Sequence, residues 1–283
     1  MGSLKREERQ TLRRIQEHLR ASTLDANVVI EQMGTVDIFF HPNNPDPHLN
    51  CITPHKGVAW VRNTDLSDAF DGMERLGRVP RLVFQEALFP EAFQRQLQMM
   101  GLREEETRVV MVYRPFYGPA LPGEMLRGRL PEGVEGPVTT FVANTSPELA
   151  TWLRVFRAGY YNTETLRVEP EAVQELVEQS ESEQFVFVLA SYQSTPLGAT
   201  RIAIRAPTAE LEAVVTAPLW HGMGLETAMV VTAVREMLRR GCDTVFTIAP
   251  PEDYTRLYRR LGFMELTNVL TYWLGETAGE TDS

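Results

Sequence analysis

The stretch "PLWHGMGLETAM" (residues 218–229) sets a histidine, two glycines and a glutamate at the head of a helical pattern. Residues of these types in this order suit the holding of an anion. Gly222 and Gly224 let the backbone approach a ligand closely. A helix beginning just after them presents unpaired N–H groups and the positive end of its dipole. The strand-like "ELEAVVTA" (210–217) runs straight into the stretch. Pro218 cannot donate to a sheet ladder, so pairing is expected to stop near it and to leave backbone groups of Val214 to Ala217 for a ligand. A pyrophosphate with an extended amide arm fits both parts. The plain alternative is an ordinary turn into a buried helix. The spacing is not the Rossmann Gly-x-Gly-x-x-Gly, and it lacks the Gly-Lys-Ser/Thr of a Walker loop. Glu226 suits a helix start electrostatically but competes with phosphates for it. His221 donates hydrogen bonds and is charged only when protonated.

Groups able to move protons lie on either side. Glu210 and Glu212 share one face of the preceding strand at period two. They read either as a solvated pair or as a source of a general base. Tyr254 and Tyr258 lie one turn apart in "EDYTRLYRRLG" (252–262) and read either as helix packing or as phenolic proton donors. His41, His48 and His55 match no metal-ligand spacing and have no cysteine pair beside them. No metal is expected.

Alternating strand and helix patterns must position these groups. In the first half, residues 3–21 read as a solvated helix with Ser3 as candidate N-cap, "TVDIFF" (35–40) and "GVAWVR" (57–62) as strands, and 65–76 as a short amphipathic helix. "RLVFQE", "PEAFQRQLQMMG" and "TRVVMVYR" follow as strand, helix and strand. Residues 114–137 are dense in Pro and Gly and read as the link between halves. The second half opens on "PVTTFVA", with helices over about 146–158 and 169–180 opened by "SPE" and "EPE". Strands "QFVFVLA", "TRIAIRA" and "ELEAVVTA" precede the glycine stretch, and its helix runs to Arg240 before Gly241. "DTVFTIA", "EDYTRLYRRLG" and "LTNVLTYWL" close the chain as strand, helix and strand. The pattern is α/β in class with a mixed sheet, parallel in part.

The two halves end alike. "LVFQEALFPEAFQRQLQMMGLREEETRVVMVYR" aligns with "TVFTIAPPEDYTRLYRRLGFMELTNVLTYWL" across one gap. Gly101 then pairs with Gly262, Phe93 with Tyr254 and Leu97 with Tyr258. Shared α/β grammar explains this, and so does tandem duplication. Under duplication the first copy is degenerate, lacking both phenols and the glycine loop.

Composition narrows the classes. A chain of 283 residues suggests about two domains. The formal charge of −10 argues against nucleic acid and anionic membrane as partners. No apolar run is long enough to span a bilayer, and "MGSLKREERQTLRRIQEHLR" has no secretory apolar region. Cys51 and Cys242 lie far apart and read as free thiols of a reducing, cytoplasmic setting.

Taken together, residues 138–274 resemble the GNAT superfamily of N-acetyltransferases. Its signature, Gln/Arg-x-x-Gly-x-Gly/Ala after a frequent Pro, becomes His221-Gly222-Met223-Gly224-Leu225-Glu226, and "LYRRLGF" resembles the family's closing Tyr-x-x-x-Gly-Phe. With "PDPHLNCI" and "YRP", the whole chain resembles bacterial tandem proteins with a degenerate N-terminal GNAT-like half. The resemblance implies two tandem acyl-CoA N-acyltransferase domains: residues 1–115, a linker over 116–136, and an acetyltransferase domain over 137–283. It implies acetyl-CoA as co-substrate, with Val214, Val215 and Thr216 along the pantetheine arm. Pyrophosphate contacts are implied from His221 and from the backbone of Gly222, Met223, Gly224, Leu225, Glu226 and Thr227. Tyr258 stands where the family's usual acid stands, and Glu210 or Glu212 where several relatives place a base. The reaction implied is acetyl transfer to a primary amine on a small molecule or peptide, by a monomer or homodimer. A non-catalytic acyl-CoA-binding or interaction protein is the alternative, motivated by His221 and Glu226.

Overall fold

The structure, a computed structural model, describes residues 6–25, 27–113, 138–163, 167–220, 222–250 and 253–274. Ser3 and the linker over 116–136 lie outside the described residues. The chain divides into two units. The first takes Met1–Val110, Ala249–Pro251 and Glu265–Ser283; the second takes Met111–Ile248 and Glu252–Met264.

In the first unit α1 (Arg6–Asp25) is followed by strands β1 (Val29–Met33), β2 (Val36–Phe40) and β3 (Cys51–Pro54). Then come α2 (Asn63–Arg75), β4 (Arg81–Gln85), α3 (Glu91–Met99) and β5 (Leu102–Tyr113). α1 buries Thr11, Leu12, Ile15 and His18, a spacing of three to four residues that makes one stripe despite the charges elsewhere. α2 buries Leu66, Ala69, Phe70 and Met73, and α3 buries Phe93 and Leu97, all into one core with Val36, Ile52, Leu82 and Phe84. Asp37 on β2 is fully buried; its carboxylate takes Arg20 from α1 on one oxygen and His55 Nδ1, at 2.9 Å, on the other.

The strand expected over 57–62 is not there. The chain pairs earlier, at Cys51–Pro54 against β2, and Gly57 then turns with φ +86° while Val58 N–H bonds back to His55 O at 3.2 Å. The residues of "GVAWVR" are spent on that turn and on the approach to α2, which starts at Asn63. Their β-branched and aromatic content reflects packing on the core: Val61 is buried there and Trp60 lies edge-on to Phe93 at 6.0 Å.

The second unit opens with β6 (Val138–Ala143), α4 (Ser146–Tyr161) and α5 (Pro170–Glu181), followed by β7 (Phe185–Tyr192), β8 (Thr195–Arg205) and β9 (Thr208–Thr216). α6 (Leu225–Arg239), β10 (Thr244–Ala249), α7 (Asp253–Arg260) and β11 (Met264–Leu274) complete the chain. A capping box starts α4. Glu148 accepts from the Thr145 and Asn144 backbone at 3.0 and 3.1 Å, and these bonds hold its carboxyl below the usual carboxylate range. At the far end of α6, Glu236 takes hydrogen bonds from Arg239 and Arg240, which hold its pKa down to about 2. Gly241 then turns at φ +83°.

Strand order in the second unit is β10-β9-β8-β7-β6, with β9 and β10 parallel and the other pairs antiparallel. In the first unit it is β1-β2-β3-β4-β11-β5, with β3 and β4 parallel. The last strand of the chain is therefore a strand of the first unit: β11 pairs antiparallel with β4 from Val269–Gln85 to Trp273–Arg81. The repeat is longer than the sequence alignment shows. β3-α2-β4-α3-β5 and β9-α6-β10-α7-β11 share one element order, each with a parallel strand pair joined by a helix. Gly101 and Gly262 hold matching φ values of +84° and +86° at the ends of α3 and α7.

Candidate active site

The strand leading to the glycine stretch is interrupted twice, on its two edges. Toward β8 the register slips between Arg201–Ala213 and Ile202–Leu211, so Glu212 is an extra residue and β9 is bulged there. Toward β10 the parallel ladder has pairs at Thr208–Thr244, Ala209–Val245 and Glu210–Phe246 and then ends. The Thr247 hydroxyl still reaches Leu211 O at 2.8 Å. Beyond it, from Ala213 to Thr216, no ladder pair between β9 and β10 stands among the described residues. Among the described residues the two parallel strands thus part at their carboxyl ends, and one edge of β9 lacks ladder partners from Ala213 to Thr216.

The pairing on the other edge runs on through Gly198–Thr216, and Ala217 N–H bonds to Leu197 O at 2.7 Å. Pro218–Trp220 makes a single tight turn, closed by Trp220 N–H to Ala217 O at 2.8 Å. Gly222 and Gly224 both adopt positive φ, +75° and +83°, a conformation that costs other residues about 1 kcal/mol or more. A Cβ on Gly222 would meet nothing within 4 Å, so its backbone faces open space. Gly224 is the N-cap of α6 and supplies no side-chain cap. The first intrahelical bond is Ala228 N–H to Gly224 O at 3.1 Å, which leaves the amides of Leu225, Glu226 and Thr227 pointing out of the helix start.

Val214 and Val215 are half-buried on opposite sides of β9. Val214 packs against the cluster that holds Leu225 and Met229, and Val215 against the one that holds Trp152, Leu189 and Ala199. The two flanking helices therefore grip the strand on either face. α4 comes closest. A Cβ on Gly159 would lie 2.9 Å from Thr216 O and 3.0 Å from Val215 Cβ. Glu226 resolves one question that its position raised. Its carboxylate turns back over the helix start and accepts from Thr216 Oγ1 at 2.8 Å, joining the end of β9 to the first turn of α6. Nothing in residue spacing signals that bond. His221 lies outside the described residues. Met223 and Thr227 are half-buried.

Among the proton-moving candidates, Glu212 pairs with Arg201, whose guanidinium also covers the Phe185 ring at 5.5 Å. Glu210 is half-buried at the last rung of the parallel ladder. Tyr258 is 3 % exposed on α7, against Phe263 at 5.2 Å between ring centroids. The Tyr254 side chain lies outside the described residues. In the first unit the residues aligned with the two phenols, Phe93 and Leu97, are fully buried core. His41 Nδ1 accepts the amides of Asn43 and Asn44, His55 bonds Asp37, and His48 is exposed. Among the described residues no group of three or more His, Cys, Asp or Glu is placed to hold a metal ion, and no helix is long and apolar enough to cross a membrane. Both cysteines are free thiols, and desolvation raises them, Cys51 to about 12.

Comparison with known proteins agrees with this geometry. Over 92 % of the chain the fold superposes on 94 % of a GCN5-related N-acetyltransferase from Kribbella flavida, with TM-score 0.67 and 16 % identity. A GCN5-related N-acetyltransferase from Sphaerobacter thermophilus matches with TM-score 0.55 and 15 % identity, covering 86 % of this chain and 81 % of that one. A tandem GNAT protein from the clavulanic acid biosynthesis pathway also matches with TM-score 0.55, at 14 % identity, covering 85 % of this chain and 78 % of that one. No curated protein matches the sequence. Residues 147–263, which hold the fork, the glycine turn and Tyr258, match the Acetyltransferase (GNAT) family, and over most of the chain the fold is that of these GCN5-related N-acetyltransferase structures.

Proposed function

We propose that the second unit is an acetyl-CoA-dependent N-acetyltransferase that passes the acetyl group directly to a primary amine. One observation carries this reading: the β9–β10 ladder ends at Glu210–Phe246, so an open strand edge leads to an uncapped helix start across two positive-φ glycines. An extended amide arm pairs with the free edge of Val214 to Thr216, and a pyrophosphate takes the amides of Gly222 to Thr227. Acetyl-CoA supplies the thioester. The chain must polarise its carbonyl, accept a proton from the amine and return one to the sulfur. In this reading a free N–H near Val215 or Thr216 serves the carbonyl and Tyr258 returns the proton. Glu210, half-buried at the last rung of the parallel ladder, is the base in this reading, and Glu212 pairs with Arg201. The free thiols suit a cytoplasmic setting.

Calorimetric titration with acetyl-CoA tests the reading. Binding at micromolar to low-millimolar ligand is expected, followed by CoA release on addition of an amine; absence of binding at millimolar acetyl-CoA sinks it. The Glu226 carboxylate favours the second reading, a GNAT-fold protein that binds acyl-CoA weakly and without turnover. Its oxygen accepts from the Thr216 hydroxyl in the first turn of α6, beside the amides to which this reading gives the pyrophosphate. Removing that charge as Glu226→Gln is expected to tighten acetyl-CoA about five- to tenfold, the scale of one like charge about 4–6 Å away at a partly exposed site. Glu226→Gly should do the same. Unchanged affinity in both variants would mean that the pyrophosphate does not meet this carboxylate.

A further inference from the structure

α4 carries a stack of aromatic rings that is anchored at one end and open at the other. Trp152, Phe156 and Tyr160 follow at four-residue spacing, which sets them above one another on one face. Trp152 is 2 % exposed, and its Nε1–H is fixed on Thr200 O at 3.0 Å. Phe156 stacks on it at 4.7 Å and 18°, and Tyr160 continues the stack at 5.8 Å and 12°. Tyr161 closes the end at right angles, 5.2 Å and 83° from Tyr160. These last two rings are 64 % and 63 % exposed. Helix α4 ends at once, with Asn162 in the left-handed region.

The position of this open end matters as much as its chemistry. Gly159, next to Tyr160, lies close against Val215 and the Thr216 carbonyl. Tyr160 and Tyr161 follow Gly159 directly, so they stand at the end of α4 that meets the tip of β9. The neighbouring cation is spoken for: Arg157 donates to Glu169 at 2.6 Å and to Arg167 O at 2.9 Å. Two rings are too little surface for a protein interface, which needs about 800 Å² on each side. The other exposed large apolar residues of the unit, Phe141, Leu219 and Met264, stand on other elements.

We propose that Tyr160 and Tyr161 form a subsite for the acyl acceptor, and that the acceptor is a primary amine joined by a short arm to an aromatic ring. The ring extends the Trp152–Phe156–Tyr160 stack, with Tyr161 edge-on beside it, and the arm carries the amine toward β9. This specificity rests on the acetyltransferase reading above.

The test uses the full chain and compares 2-phenylethylamine with n-hexylamine as acceptors, following CoA release. The wild type is expected to prefer the aryl amine in kcat/KM. Tyr160→Ala is expected to cut the aryl-over-alkyl ratio about tenfold, mostly through KM, which is the scale of one aromatic contact. Tyr160→Phe and Tyr160→Trp should keep the ratio. An equal loss for both amines, or no aryl preference in the wild type, overturns the subsite. A change of oligomeric state in Tyr160→Ala by sedimentation also overturns it, marking the rings as an interface. A second arm does not need turnover: calorimetry of 2-phenylethylamine binding to the wild type and to Tyr160→Ala. If no amine is acetylated, the enzyme reading fails. The subsite then stands if Tyr160→Ala weakens binding about tenfold, and falls if it does not.

Discussion

Tyr258→Phe is expected to lower kcat about a hundredfold, the lower end of what a positioned proton donor contributes, while acetyl-CoA affinity changes less than twofold. The substitution removes one oxygen and leaves the ring. Tyr258 is 3 % exposed and its ring packs on Phe263, which in turn meets Tyr113 at 5.5 Å. A phenylalanine keeps those contacts, so the variant should fold and bind. What it loses is the hydroxyl that, in the proposed reaction, protonates the departing sulfur. A slow step limited by thiolate departure has a second signature. Acetyl thioesters with a more acidic thiol need the donor less, so the deficit of the variant should shrink with such a substrate. Unchanged kcat with acetyl-CoA would leave Tyr258 as packing, the role that Leu97 has at the aligned place in the first unit.

The elements that carry the site are legible because period alone reveals them. The apolar stripes of α4 and α6, the glycines at 222 and 224, and the proline that ends β9 each act within a few residues of themselves. What is illegible is set by neighbours distant in sequence. The bulge at Glu212 exists because β8 and β9 fall out of register at Arg201, which no spacing within "ELEAVVTA" encodes. Glu212 stands at that slip and pairs with Arg201, a partner on another strand that spacing does not predict. The turn of Glu226 toward Thr216 depends on where β9 ends relative to α6. β11 reads correctly as a strand, yet its partner β4, paired from Gln85 with Val269 to Arg81 with Trp273, lies far back in the first half of the chain. "CITP" is too short and too poor in periodicity to register as a strand next to the richer "GVAWVR", and its partners β2 and β4 make it one. Local rules therefore give the parts of the site, and long-range pairing gives their roles.

Gly159→Val is the sharpest test of the contact that shapes the fork. Glycine inside a helix normally costs about 1 kcal/mol relative to alanine, so on propensity alone even Gly159→Ala should stabilise the protein. The opposite is expected. A Cβ at this position would stand 2.9 Å from the Thr216 carbonyl oxygen and 3.3 Å from its carbon, both backbone atoms that cannot swing aside. Either α4 lifts or the tip of β9 shifts, at about 1–3 kcal/mol of overpacking. For a unit of this size that lowers Tm by about 5 °C for alanine and by more for valine. Because the displaced atoms belong to the open edge of β9, acetyl-CoA affinity should fall at least tenfold in Gly159→Val, a change surface substitutions do not make. Gly198 supplies the control. It lies opposite Thr216 on β8, and its added Cβ would meet Met229 Cε at 2.8 Å and Sδ at 2.9 Å. The overlap is as severe by distance, but the neighbour is a flexible thioether that can change rotamer. Gly198→Ala should accordingly lose less stability than Gly159→Ala, and little affinity. Thermal melts and acetyl-CoA titrations on the two alanine variants decide the matter. Equal losses, or a stabilised Gly159→Ala, would show that α4 is free to retreat from β9, and that its close approach does not hold the fork open.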